Sequence, residues 1–237
     1  NGNETYVGWF WRETADAGFD IVAYTGNGSA QDISHSLSAV PKMIILKERG
    51  GTENWMVYHA ANTSAPETDY LLLNDTAATA DFPVWNDTAP TSSVFSIGTD
   101  SSTSTNTDTY ITYLWSEKQG YSKFGSYIGN GNNNGTFVYL GFRPAWLLIK
   151  RSSASGTDWI IHDNKRAGFN VNDDYLAANT SAVEVTGNTY QNLDLLANGF
   201  KMRGSGTGTN TSGETYVYMA FAEQPFVNSK GAPANAR

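Results

Sequence analysis

The chain has 237 residues, a formal net charge of −8 and no cysteine, and it is only 16% charged but 13% aromatic. These values exclude disulfides, thiolate metal sites and cysteine nucleophiles. They also argue against nucleic-acid binding, because the 15 Lys and Arg are scattered and build no positive face for phosphates.

The first predicted element is a strand over residues 5–13, inside "ETYVGWFWRE" at 4–13. The phrase returns as "DTYITYLWSE" at 108–117 and "ETYVYMAFAE" at 214–223, with Tyr6, Tyr110 and Tyr216 standing 104 and 106 residues apart. The blocks between the phrases match in the same order. "YTGNG" at 24–28 answers "YIGNG" at 127–131, and "PKMIILK" at 41–47 answers "PAWLLIK" at 144–150. "NWMVYH" at 54–59 answers "DWIIHD" at 158–163, "YLLLNDTAA" at 70–78 answers "YLAANTSAV" at 175–183, and "VFSIG" at 94–98 answers "GFKMR" at 199–203. Fixed-period self-similarity signals repeated structural units.

Each unit carries short alternating or continuous apolar runs separated by clusters of Gly, Asn, Asp, Ser and Thr, which read as strands and turns. The runs "MIILK" and "WLLIK" suit central strands. Only "YQNLDLLANGF" at 190–200 suggests a helical turn, stopped at Gly199. The sequence therefore predicts an all-β protein of two tandem antiparallel β-sandwich repeats of about 105 residues. The first spans 1–118 with the additional N-terminal strand 5–13. The second spans 119–237 with a C-terminal tail, and "SEKQGYSK" at 116–123 is the boundary. With two bodies and three terminal phrases, strand 5–13 is surplus. An unpaired edge strand exposes backbone donors and acceptors, so it is expected to complete the first repeat, or else to close a repeat preceding it in a longer parent. Trp55 and Trp159, with Ile45 and Leu148, are expected in the two cores.

Residues that could carry chemistry are few. His35, His59 and His162 show no catalytic spacing and read as polar residues at strand ends. Glu13, Glu117 and Glu223 recur at equivalent places, as residues that serve a fold do, rather than forming one pair of acid and base. Asp163, Asp173 and Asp174 form an acidic patch in which "NVNDD" at 170–174 lacks the spacing of a calcium loop. The Gly-rich stretch "GNGNNNG" has no Lys and no following helix, so it is not a nucleotide loop. "RGSGTGTNTSG" at 203–213 reads as a hairpin loop or flexible tip. No catalytic residue, metal or cofactor is expected, and no membrane insertion, since no apolar run approaches the ~20 residues of a span. The remaining resource is aromatic. "DFPVWNDTAP" at 81–90 is turn-rich and poorly matched between repeats, so Trp85, Asn86 and Asp81 are the expected contacts for a sugar.

Laid out as "YTGNG … P … I-[IL]-K … W … YLxxNxxA … F … TYVxxxFxE", the repeat resembles a module of tail-fibre and host-recognition proteins of marine bacteriophages, including cyanophages. The ending "AEQPFVNSKGAPANAR" is similar to the C-terminal ending of such virion proteins. The resemblance covers nearly the whole chain, twice, and it transfers no catalytic residue. It implies a structural and adhesive, non-enzymatic part of the virion tail, outside the cell. Its partners would be other tail proteins and a host cell-surface glycan, and it would assemble as a homotrimer. A carbohydrate-binding or adhesion module of a bacterial surface protein, and a virion decoration protein, are the alternative readings.

Overall fold

The computed structural model describes residues 6–223. The strands run, in chain order, as β1 (Phe19–Thr25), β2 (Gln31–Ser34), β3 (Met43–Glu48), β4 (Met56–His59), β5 (Asp69–Leu72), β6 (Ala80–Asp81), β7 (Val94–Ile97) and β8 (Thr109–Trp115) in the first half. In the second half they are β9 (Ser122–Ile128), β10 (Phe137–Tyr139), β11 (Pro144–Arg151), β12 (Ile160–Asp163), β13 (Leu176–Ala177), β14 (Leu193–Leu196), β15 (Gly199–Met202) and β16 (Thr215–Ala222). A four-residue helix, α1 (Ser101–Ser104), is capped by the Asp100 side chain, and one 3₁₀ turn spans Pro66–Thr68.

Every sheet is antiparallel. The large sheet of the first half has the order β1-β8-β3-β4-β5-β6, and that of the second half, read from β9, has β9-β16-β11-β12-β13. The first five strands thus follow one another in the same sequence of roles. Each large sheet faces a small one, β2-β7 in the first half and β10-β15-β14 in the second.

The central strands are buried on both faces, and successive side chains therefore feed two different apolar layers. In β3, Ile44 and Leu46 point toward the small sheet and pack with Ile33 and Phe95 of that sheet and with Tyr110 and Leu114 of the neighbouring β8. Met43 and Ile45 point the other way, into a layer shared with the second half. In β16, Tyr216, Tyr218 and Ala220 face Phe200 and Met202, whereas Val217, Met219 and Phe221 enter the shared layer. The molecule is a four-layer stack of small sheet, large sheet, large sheet, small sheet. The expectation of two separate cores is corrected here. Trp159, Ile45 and Leu148 are buried, but together in the single middle layer, and Trp55 is only half-buried at its margin.

Polar ties cross this layer. Trp159 Nε1 donates to the Leu72 carbonyl at 2.8 Å. Lys150, fully buried, donates to the carbonyls of Thr157 (2.6 Å) and Thr76 (3.0 Å), and burial lowers its pKa to about 8. The Thr79 and Gly156 amides donate to the Ser152 and Thr76 carbonyls, both at 2.9 Å.

The same local constellation is built in both halves. Tyr24 stacks on Tyr110 with ring centroids 5.0 Å apart, and Tyr127 stacks on Tyr216 at 5.1 Å. The Tyr110 and Tyr216 hydroxyls donate to the carbonyls of Ser101 and Thr207, both at 2.8 Å, and accept from the amides of Thr105 and Thr211. Glycine follows the first tyrosine of each pair because a Cβ at Gly26 or Gly129 would lie 2.3 Å from the carbonyl oxygen of Thr105 or Thr211. The amides of Trp55 and Trp159 donate at 2.9 Å to the side chains of Asn74 and Asn179.

Three further expectations are corrected. Residues 6–13 form no strand, although residue 5 and those before it lie outside the described residues. The place the phrase would take is already occupied, by β8 between β1 and β3 and by β16 between β9 and β11. The segment instead lays Trp9 and Trp11 on the second half, with Trp11 5.3 Å from Trp146 and 5.5 Å from Phe221. Residues 190–200 carry no helix, because Leu193–Leu196 and Gly199–Met202 close a hairpin that brings Leu193, Leu195 and Phe200 into the core. The loop over 203–213 is packed, with Thr209 and Asn210 fully buried and Asn210 Nδ2 donating to the Gly204 carbonyl at 2.8 Å. The C-terminal tail beyond Glu223 lies outside the described residues.

Replacing Trp159 with Ala removes a buried indole from the middle layer and should cost about 3–5 kcal/mol in urea unfolding. Trp159→Phe keeps most of the packing but loses the bond to Leu72, so it should cost about 1–2 kcal/mol. Trp55→Ala should fall well below Trp159→Ala, because its side chain leaves water only in part.

Candidate functional site

The loop singled out as a sugar contact is placed differently from expectation. Trp85 is 1% exposed, packs edge-on against Tyr58 at 5.9 Å and donates through Nε1 to the Asp69 carbonyl at 3.1 Å. Its ring cannot offer a face to a ligand, so the expectation that it makes a surface contact is corrected. The cause is the narrow small sheet of the first half. With only two strands there, Val84 and Trp85 fill the layer that Leu193 and Leu195 of β14 fill in the second half. Asn86 and Asp81 remain exposed on either side of the buried ring.

Burial lowers the pKa of each of the three histidines, and each is held by neighbouring groups. His59 is buried at the end of β4, where Nε2–H donates across the middle layer to the Tyr218 carbonyl (3.0 Å) and Nδ1 accepts from the Ala61 amide (3.2 Å). Both nitrogens are matched only in the neutral ring, and burial lowers its pKa to about 4. His162 is buried in β12, 2.9 Å from the Asn172 side chain through Nδ1, and burial again lowers its pKa. His35 lies between the Thr91 carbonyl (3.2 Å) and the Leu37 amide (3.3 Å), and burial lowers its pKa too. Among the described residues no group of three or more His, Asp or Glu is placed to hold a metal ion.

The carboxylates of the second half lead to a different place. Asp163 accepts from the amides of Lys165 (2.8 Å) and Arg166 (3.0 Å) and lies 3.1 Å from Arg166 Nε. Arg166 Nη1 also donates to Glu184 at 2.6 Å, and its guanidinium lies over the Trp9 ring at 5.6 Å. The arginine side chain is 8% exposed, and neither its Nε nor its Nη2 makes a hydrogen bond, so its contact with Asp163 is an ion pair without hydrogen-bond geometry. Lys165 reaches Glu223 at 2.6 Å on the surface. Asp174 accepts from the Gly187 amide at 2.9 Å.

Asp163, Lys165, Arg166, Asp174 and Glu184 line an open cleft of about 940 Å³ between the N-terminal segment and the loop that follows β13, with Tyr6, Leu176 and Val183 among its other walls. The cleft contains two of the three carboxylates of the acidic patch, Asp163 and Asp174, and none of the 81–90 loop. Sequence reasoning missed it because its walls come from stretches about 160–180 residues apart, and nothing in the phrase at 4–13 says that it crosses to the second half.

A family description reading "domain of unknown function (DUF7483)" matches residues 1–225. No curated protein and no solved structure matches the chain.

Acid should weaken the fold through His59. The unfolded ring titrates near 6.5 and the folded ring near 4. Stability is therefore complete above pH ~6.5 and is lost as the pH falls toward 4, since only the unfolded chain takes up the proton. The loss should reach about 3 kcal/mol, read as urea unfolding at constant ionic strength. His162 acts in the same direction. His59→Gln, whose amide can still donate to Tyr218, should give a flatter profile.

Proposed function

The chain belongs to the DUF7483 domain family, and we propose that it is a structural and adhesive module of a bacteriophage tail fibre that contacts glycans on the host surface. The observation that carries this reading is the stack itself. Two sandwiches are joined face to face through a common apolar layer, as suits a load-bearing part of a fibre in which successive modules must not swing apart. The resemblance of both repeats to fibre modules supports the same reading. So does composition, because a chain only 16% charged and rich in Asn, Ser and Thr offers hydrogen bonds to sugars without strong charge attraction.

The module acts without covalent chemistry. Each contact to a glycan is weak, since a shallow site buries little area and ordering the sugar costs free energy. Several copies held together overcome this by effective concentration. Assembly with other tail proteins, and into trimers, supplies those copies.

Beads carrying many copies of the chain should adsorb to host bacteria far better than the free chain, and periodate oxidation of the cell-surface glycans should abolish adsorption. Undiminished adsorption to oxidised cells would remove the glycan from this reading. Absence of adsorption to any marine bacterium tested would remove adhesion. Sedimentation should give the mass of three chains for the assembled fibre segment.

A further inference from the structure

We propose that the cleft beside Arg166 is a binding site for a neutral oligosaccharide, an inference that rests on the adhesive reading above. At about 940 Å³ it lies within the range of small-ligand sites, roughly 300–1,000 Å³. Its walls combine the two surfaces a sugar presents. Tyr6, 86% exposed, offers an aromatic face to the C–H side of a pyranose ring, and Leu176 and Val183 extend that apolar surface. Asp174 and Glu184 offer carboxylate oxygens to hydroxyl donors. Among the described residues only the Gly187 amide donates to Asp174, and Glu184 is 38% exposed beyond its bond to Arg166.

The polar wall is held in place before any ligand arrives. Arg166 is clamped by Asp163 and Glu184 and lies against Trp9, so little side-chain entropy remains to be lost on binding.

Charge selects the class of sugar. Asp163, Asp174 and Glu184 against Lys165 and Arg166 leave the lining one negative charge in excess, on a chain of net charge −8. Uronate and sulfated glycans are therefore repelled, and neutral hexose chains are favoured.

The test is amide NMR of the labelled chain titrated with hexasaccharides of glucose, galactose, mannose and N-acetylglucosamine, with an oligogalacturonate of equal length as the anionic comparator. At least one neutral oligosaccharide should give saturable shifts at Asp174, Glu184 and Gly187. Tyr6→Ala and Asp174→Asn should each weaken it about tenfold with unchanged thermal stability. The inference is overturned if no neutral oligosaccharide saturates the cleft, if the oligogalacturonate binds more tightly, or if neither variant changes the affinity. Bead adsorption separates this failure from that of the broader reading. Glycan-dependent adsorption that survives both variants would reject the cleft and keep adhesion, whereas loss of adhesion for the unaltered chain would reject the reading beneath it.

Discussion

The structure depends on the apolar layer between the two large sheets. A sheet with one wet face alternates apolar and polar residues, but β3, β11 and β16 carry continuous apolar runs, Met43–Leu46, Trp146–Ile149 and Tyr216–Ala222. Each large sheet must therefore be covered twice. The small sheet of its own half covers one side, and the corresponding face of the second large sheet covers the other. Met43, Ile45, Val57 and Leu71 meet Leu148, Trp159, Ile161 and Met219 there. Neither half could leave its partner without exposing a continuous face of large side chains.

Polar groups fix how the faces meet. Apolar contact is non-directional, so a layer of Ile, Leu and Met alone would tolerate sliding. The bonds from Trp159 to Leu72, from His59 to Tyr218 and from Lys150 to Thr76 each leave a buried group unsatisfied if the halves shift. The buried lysine and histidine are used here as fixed donors, and burial moves the pKa of each toward its neutral form.

The same layer explains the N-terminal segment and the cleft. The large sheet of the second half leaves Trp146 and Phe221 partly uncovered by the first, and Trp9 and Trp11 lie on them. Arg166 meets Trp9 from the loop after β12, and the open space between segment and loop is the cleft. An open cleft thus arises where the end of one apolar layer is closed by a strap rather than by a sheet.

By itself the sequence determined the all-β class, the strand positions in most matched blocks, and the central place of "MIILK" and "WLLIK". Period-two patterning and turn residues are local properties that survive without knowledge of the partner. It also placed Trp159, Ile45 and Leu148 indoors. Only the tertiary structure decided which interior each residue entered, because an apolar side chain carries no label for the layer it will fill. For the same reason Trp85, read as a surface aromatic from its turn-rich neighbours, fills a gap left by a two-stranded sheet. The phrase at 4–13 has the composition of a strand, yet its described residues, 6–13, enter no ladder, because β8 and β16 already hold the hydrogen-bonding positions. Competition for partners is a property of the whole fold, and no local pattern records its outcome.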